Sequence, residues 1–332
     1  MSNIPQDWQT YVLSDLCAPD TGLQTGPFGS QLHASDYVTD GIPVVMPKDL
    51  IAYRVSTADI ARVPEEIAQQ LSKHRLERGD IVFARRGDIG RCALITSTEQ
   101  NWLCGTGCLR YRPLQTVLPE FLIYSLSTER AINWLQMNAV GQTMLNLNTS
   151  IIAELPIDLP PLPEQRAIAA ILSTWDEAIT LTTRLIDALK RRKQALMQVL
   201  LTGEVRFAEF DGEWGTKPLG AIATVRRGAS PRPINNPKWF ADEGRAWVRI
   251  ADINASQTRF LNQASQYLSS LGEALSVKVE VGDLILSIAA TIGVPKIVNI
   301  PACIHDGFVV ITGYSNTTDR DFLYHYLSML TG

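Results

Sequence analysis

Hydrophobic and polar positions alternate in short runs over most of this chain, with one long exception in the middle. Apolar, β-branched runs follow the turn-forming pairs Gly79-Asp80 and Gly282-Asp283 and read as strands. Residues 42–46, 92–96, 109–112 and 308–312 are further predicted strands. Pro119-Glu120 opens a predicted helix with Phe121, Tyr124, Ala131, Ile132 and Leu135 along one side. The exception lies between Pro163 and Gly203, where neither Gly nor Pro occurs. There Ile168, Ile171, Leu172, Trp175, Ile179, Leu185, Ile186, Leu189, Leu196, Val199 and Leu200 recur mostly at steps of three and four. This spacing predicts one amphipathic helix of roughly 60 Å at 1.5 Å per residue. Its narrow apolar stripe calls for a partner helix.

The chain also repeats itself. Residues 41–50 (GIPVVMPKDL) align with 244–253 (GRAWVRIADI), which sets Asp49 on Asp252 at an offset of 203. Gly79-Asp80 falls on Gly282-Asp283 and Ile89-Gly90 on Ile292-Gly293 at that same offset. Gly107 falls on Gly307 at 200, and Phe121 on Phe322 at 201. The segment starting at Trp8 matches the one starting at Trp214. Anchors in this order, with small drifts, indicate a duplicated β-rich domain carrying a helix near its end. The fold class is therefore α+β, with two similar β-rich domains joined by a long, coiled-coil-type helix. The expected boundaries are 1–155 for the first domain, 156–206 for the helix and 207–332 for the second. After Phe121 the first copy continues for 80 residues to Leu201, whereas 10 residues follow Phe322. Three readings of this asymmetry stand open: a naturally shortened chain, a fragment, or a second chain that supplies the helix missing there.

Composition narrows the class. The 332 residues are 45% hydrophobic and 19% charged, enough to bury a sizeable core. No apolar run reaches the ~18 residues of a membrane span, and the first ten residues carry no signal-peptide pattern, so no membrane partner and a cytoplasmic location are expected. Five scattered cysteines (Cys17, Cys92, Cys104, Cys108, Cys303) fit reduced thiols.

The run 159–179 (LPPLPEQRAIAAILSTWDEAI), with Pro160, Pro161, Glu164, Gln165, Ile168, Ala169 and Leu172 in a fixed pattern, resembles the specificity subunit of type I restriction–modification systems. The resemblance covers nearly the whole chain: target-recognition domain, spacer helix, second target-recognition domain. It implies a non-catalytic subunit in which each domain reads one half of a split double-stranded DNA target. It also implies docking of two adenine-N6 methyltransferase subunits, and joining by a restriction/translocase subunit. No cofactor is expected on this chain, with S-adenosylmethionine, ATP and Mg carried by the partners. This sequence departs from the family in lacking the second conserved helix. The competing expectation is a shortened specificity chain acting mainly through helix pairing, as a dimerising or regulatory protein.

Charge is informative only locally, because the formal net charge is −4. Residues 217–249 carry net +5 and residues 83–112 net +3, while residues 1–47 hold five aspartates and neither Lys nor Arg. Phosphate contacts supply affinity, and base-edge contacts specify. The candidate DNA contacts are therefore Gln24, Thr25, Ser30, Lys48, Arg85 and Arg86 in the first copy. In the second they are Arg226, Arg227, Ser230, Arg232, Lys238 and Arg249. Aligned on sequence, 24–30 (QTGPFGS) corresponds to 227–233 (RGASPRP), a shared skeleton with different polar lettering. The partner seam comprises Ile168, Ile171, Leu172, Trp175, Ile179, Leu185, Ile186, Leu189, Leu196 and Leu200.

Other signals point nowhere specific. Cys104 and Cys108 have no second ligand pair at metal spacing. The four histidines lie in no motif, and the cluster Lys190 to Lys193 reads first as a solvated helix face. Trp239 beside Lys238 reads better as a packed tryptophan than as a wedge at a base step. Neither a phosphate-binding Gly-rich loop nor the Asn/Asp-Pro-Pro-aromatic motif of amino-methyltransferases is present.

Overall fold

In the computed structural model, residues 5–19, 21–29, 31–141 and 145–331 are described. The chain divides into two compact units, Met1–Leu181 and Thr182–Gly332. The first holds β1 (Gln9–Val12), β2 (Leu23–Thr25), β3 (Ile42–Val45), β4 (Leu50–Ile51), β5 (Arg54–Val55) and β6 (Ala61–Val63). There follow α1 (Glu65–Gln70), β7 (Ile81–Ala84), β8 (Cys92–Leu94), β9 (Leu103–Cys104) and β10 (Cys108–Tyr111). Next come α2 (Pro119–Leu126), α3 (Glu129–Asn138), α4 (Thr149–Ala153) and β11 (Pro156–Leu159). The long helix α5 (Leu162–Leu200) begins in this unit and continues into the other. The second unit adds α6 (Leu219–Ile222), β12 (Thr224–Arg227), β13 (Phe240–Ala241), β14 (Arg245–Val248), α7 (Ile250–Ala255), β15 (Phe260–Leu261) and β16 (Tyr267–Leu268). It ends with α8 (Ser270–Ala274), β17 (Val277–Val279), β18 (Leu284–Ser287), β19 (Pro295–Val298), β20 (Ala302–Ile304), β21 (Phe308–Thr312) and α9 (Arg320–Met329).

The duplication is structural. One sheet of the first unit runs β2-β10-β7-β8, and its counterpart runs β12-β21-β18-β19 in the same order, extended by β15. A second sheet in each unit contains a parallel pair, with Val44 opposite Leu103 in one and Trp247 opposite Cys303 in the other. Polar braces repeat as well. Asp80 Oδ2 accepts from the Glu77 N–H at 2.8 Å, and Asp283 Oδ2 from the Glu280 N–H at 2.8 Å. Asp49 does the same for Met46 and Asp252 for Arg249. Even the edge-to-face pair Trp8–Phe121, with ring centroids 6.4 Å apart, recurs as Trp214–Phe322 at 6.1 Å. The expected fold class holds: two similar β-rich parts with one long helix between them in the sequence.

The start of α5 explains the sequence pattern there. Gln165 is buried; its carbonyl oxygen accepts from the Leu118 N–H at 2.8 Å and its amide donates to the Pro160 carbonyl at 2.9 Å. Glu164 accepts from the Trp8 indole N–H at 3.2 Å, and Asp176 accepts from the Tyr124 hydroxyl at 2.8 Å. Glu-Gln thus fastens the first turn of α5 to the sheet unit and satisfies backbone groups that would otherwise be orphaned.

Two expectations are corrected. The helix predicted from Pro119 through Leu135 is two helices. Ser127 and Thr128 turn their hydroxyls back to the carbonyls of Tyr124 and Ser125, and Thr128 Oγ1 caps α3 by accepting from the Ala131 N–H. The second correction concerns the alignment of 24–30. Thr25 lies opposite Leu109 and Arg227 opposite Val309, so Thr25, not Gln24, is the counterpart of Arg227.

Gly26 and Gly228 follow in register, and both are squeezed. A Cβ at Gly26 would sit well inside contact distance of the Gly105 carbonyl, and one at Gly228 inside that of the His305 carbonyl. Gly228→Ala should destabilise the second unit by about 1–3 kcal/mol, because backbone rather than a pliant side chain must move. Chemical denaturation followed by tryptophan fluorescence measures this.

His74 gives the first unit an acid weakness. It is only 4% exposed, and neither ring nitrogen makes a hydrogen bond among the described residues. Burial pushes its pKa down to about 4, aided by the Lys73 and Arg110 cations and only partly opposed by the nearby Thr25 backbone. The unfolded chain takes up a proton near pH 6.5 and the folded one near 4, so stability falls as pH drops through that window. The loss should approach about 3 kcal/mol by pH 4, and His74→Leu should flatten this slope in urea midpoints measured from pH 7 to 4.

Candidate nucleic-acid interface

Much of the predicted basic strip in the first unit is consumed internally. Arg110 is 5% exposed and donates to the carbonyls of Thr21, Lys73 and Arg75 at 2.9, 3.2 and 3.1 Å. Arg112 holds Asp80 through two nitrogens, at 2.7 and 2.8 Å, and Glu77 through a third. Arg91 pairs with Asp88 at 2.9 Å. Three of the five arginines of residues 83–112 thus brace turns rather than offer a free cationic surface.

Of the residues singled out in this unit, Gln24 and Thr25 are half-buried on edge strand β2. Lys48 is mostly exposed, its ammonium donating to the Asp59 carbonyl at 2.7 Å. Arg85 donates from Nε to the Leu147 carbonyl at 3.1 Å, a packing role, and Arg86 beside it is exposed. Ser30 lies outside the described residues. No contact among the described residues draws these side chains into one cluster.

The second unit is different. Arg226 and Arg227 are neighbours on edge strand β12, so their side chains leave opposite faces. Arg226 donates to the Lys278 carbonyl at 3.3 Å. Arg227, Ser230 and Arg232 converge on a residue that sequence reasoning missed, Asp306, in the turn between β20 and β21. Ser230 Oγ donates to Asp306 Oδ1 at 2.6 Å, Arg232 Nη2 to Oδ2 at 2.8 Å, and Arg227 Nε to the Asp306 main-chain carbonyl at 3.0 Å. The Ser230 hydroxyl, with Arg232 and His305 adding to it, holds the Asp306 carboxyl below the usual carboxylate range.

His305, next in the chain, packs against Phe308 with ring centroids 4.9 Å apart and against Trp247 at 6.0 Å. Its Nδ1 accepts from the Gly307 N–H at 2.7 Å, and burial pulls its pKa down despite Asp306. The neutral ring so oriented keeps its other nitrogen as a donor. Arg249 lies close enough to His305 to depress its pKa further, and bonds Gln266 at 3.2 Å. Lys238 rides 4.1 Å above the ring of Trp239, and that indole is buried and bonded to the Pro233 carbonyl at 2.9 Å. Trp239 is thus a packed tryptophan. One signal could have revealed Asp306: the flanking Gly107 and Gly307 align, while Thr106 and Asp306 between the same anchors differ.

On α5, only Gln165 and Ala169 are buried. Of the predicted seam, Ile168 and Leu200 are half-buried, while Ile171, Leu172, Trp175, Ile179, Leu185, Ile186, Leu189 and Leu196 are exposed, Trp175 by 67%. Burial pushes the Cys104 thiol up to about 12, which disfavours a thiolate ligand, and no metal-ligating cluster occurs among the described residues. No helix among them is long and apolar enough to cross a membrane.

Comparison with known proteins agrees with this arrangement. A putative type I restriction enzyme MjaX specificity subunit from Methanocaldococcus jannaschii is 25% identical over 99% of this chain and 78% of its own length. The MjaIX specificity subunit of the same organism is 24% identical over 69% of this chain, which spans 55% of that relative. Among solved structures, the type I restriction–modification S subunit from M. genitalium shares 17% identity and the fold, with a TM-score of 0.60 over 100% of this chain and 78% of that one. The model of the type I restriction modification DNA specificity domain matches residues 5–191. Over more than half its length, then, the sequence carries that family's pattern, and the chain belongs to the type I restriction–modification DNA specificity family.

Proposed function

We propose that this chain is the DNA-recognition subunit of a type I restriction–modification enzyme, reading a split target and directing methyltransferase and restriction subunits to it. The observation that carries the reading is the duplicated skeleton: one strand order built twice, with different polar residues at the same place in each copy. Equal skeletons with unequal lettering suit two readers of two unlike half-sites. Linking them makes the second docking intramolecular, so modest affinities combine.

In this reading the chain itself is non-catalytic and works in the cytoplasm. S-adenosylmethionine, ATP and Mg belong to the partners, including two adenine-N6 methyltransferase subunits. The exposed stripe of α5 takes a partner helix. The boundaries 1–155, 156–206 and 207–332 then delimit reader, spacer and reader.

The test is binding of the chain, reconstituted with its methyltransferase subunit, to duplexes selected from a random pool. Selection of a two-part site with a fixed gap is expected, with log affinity falling linearly in log salt at about −0.9 per phosphate contacted. Inserting one base pair into the gap turns one half-site by roughly 35° about the duplex and should weaken binding more than tenfold. Indifference to gap length would remove the split-site reading.

A further inference from the structure

The two units differ in chemistry at the turn that follows their parallel strand pair. The second has Asp306 there and the first Thr106, at the offset of 200 that also relates Gly107 to Gly307. An aspartate on a DNA-facing surface opposes phosphate, so its presence calls for an account. Its three donors supply one. Arg232 spends one terminal nitrogen on the carboxylate, and Arg227 spends Nε on the carbonyl. Among the described residues no further hydrogen bond uses the remaining N–H groups of either fork. For Arg227 that leaves both terminal nitrogens, the pair that meets the two acceptors of guanine.

The Arg232–Asp306 ion pair itself is exposed, with side chains 68% and 38% accessible, and such pairs add little to folding stability. Its value lies in orientation. A long flexible side chain loses rotamer freedom when it binds, and one already fixed loses less. Ser230 anchors the other carboxylate oxygen, which keeps Asp306 from following Arg232 outward. Among the described residues the first unit shows no such device. Thr106 Oγ1 is buried without a partner among the described residues, and the counterpart of Arg227 is Thr25.

We propose that Asp306 is a positioning residue for base recognition: its carboxylate aims Arg232, and its carbonyl aims Arg227, at guanine edges in the half-site read by the second unit. The inference rests on the reading of this chain as a DNA-recognition subunit. It separates the two arginines. Asp306→Asn removes the anionic partner of Arg232 but keeps the carbonyl that holds Arg227.

The experiment uses the full chain with its methyltransferase subunit, in wild-type, Asp306→Asn and Arg232→Lys forms and with both substitutions combined. Each competes for every single-base variant of the selected site. Asp306→Asn should relax discrimination at one guanine position about tenfold, leave the other half-site untouched, and change neither the salt slope nor the thermal midpoint. Arg232→Lys, which keeps charge and loses the fork, should relax the same position, and the double variant should add little to either. Uniform weakening on all sequences, or an unchanged preference, overturns the proposal. A wild-type split site with no guanine in either half also overturns it while sparing the recognition reading. Absence of any selected sequence overturns both.

Discussion

In each unit the edge strand that leads to the candidate site meets the turn beside it through a backbone approach that only glycine allows. Gly26 donates its N–H to the Cys108 carbonyl at 2.9 Å while its α-carbon passes against Gly105. Gly228 repeats this with Phe308 and His305. A side chain at either position would push the edge strand off the turn beside it. In both copies the chain leaves its edge strand at the same register position, whatever side chains follow. Skeleton and lettering are decoupled, so Ser230 and Arg232 can meet Asp306 without any change to the strands beneath.

The second theme is the employment of cations. Arg110 and Arg112 tie turns together from inside the first unit, and Arg245 does so in the second through the carbonyls of Val279 and Ala302 and the Glu280 carboxylate. Buried or braced guanidiniums contribute rigidity, because each donates several bonds in a fixed plane. In the second unit the candidates Arg226, Arg227, Arg232, Lys238 and Arg249 are all exposed. A net charge of −4 disfavours indiscriminate binding to DNA phosphates. Tethering a carboxylate among those cations lowers indiscriminate affinity further, and orientation makes up the loss only at matching bases.

The duplication, the long helix and most strands were legible because glycine, proline and hydrophobic periodicity report local backbone needs. β21 was read residue for residue, and α5 to within a residue at each end. The break between α2 and α3 was missed because Thr128 acts as a cap through its own hydroxyl, which periodicity ignores. The loop register was missed by one residue because side-chain identity was aligned where backbone approach decides; the glycines, not Gln24 and Arg227, are the fixed points. At the candidate site, the arginines were legible by charge. Their common partner was not, since an aspartate in a turn ordinarily reads as a turn former. Charge counting likewise could not tell Arg110, turned inward, from Arg232, turned out.

The exposed stripe of α5 bounds the energy that a partner helix could gain there. Burying a Leu, Ile or Trp side chain fully is worth about 1.5–3 kcal/mol, and Ile171, Leu172, Trp175, Leu185, Ile186, Leu189 and Leu196 each keep roughly half of that unrealised. Covering these seven would thus gain on the order of 5–10 kcal/mol. Association itself costs an estimated 4–15 kcal/mol in lost freedom. The two figures overlap, so a helix packed on this seam is held near balance unless other contacts join it. Contacts to a methyltransferase, or to DNA bound by both readers, would tip that balance.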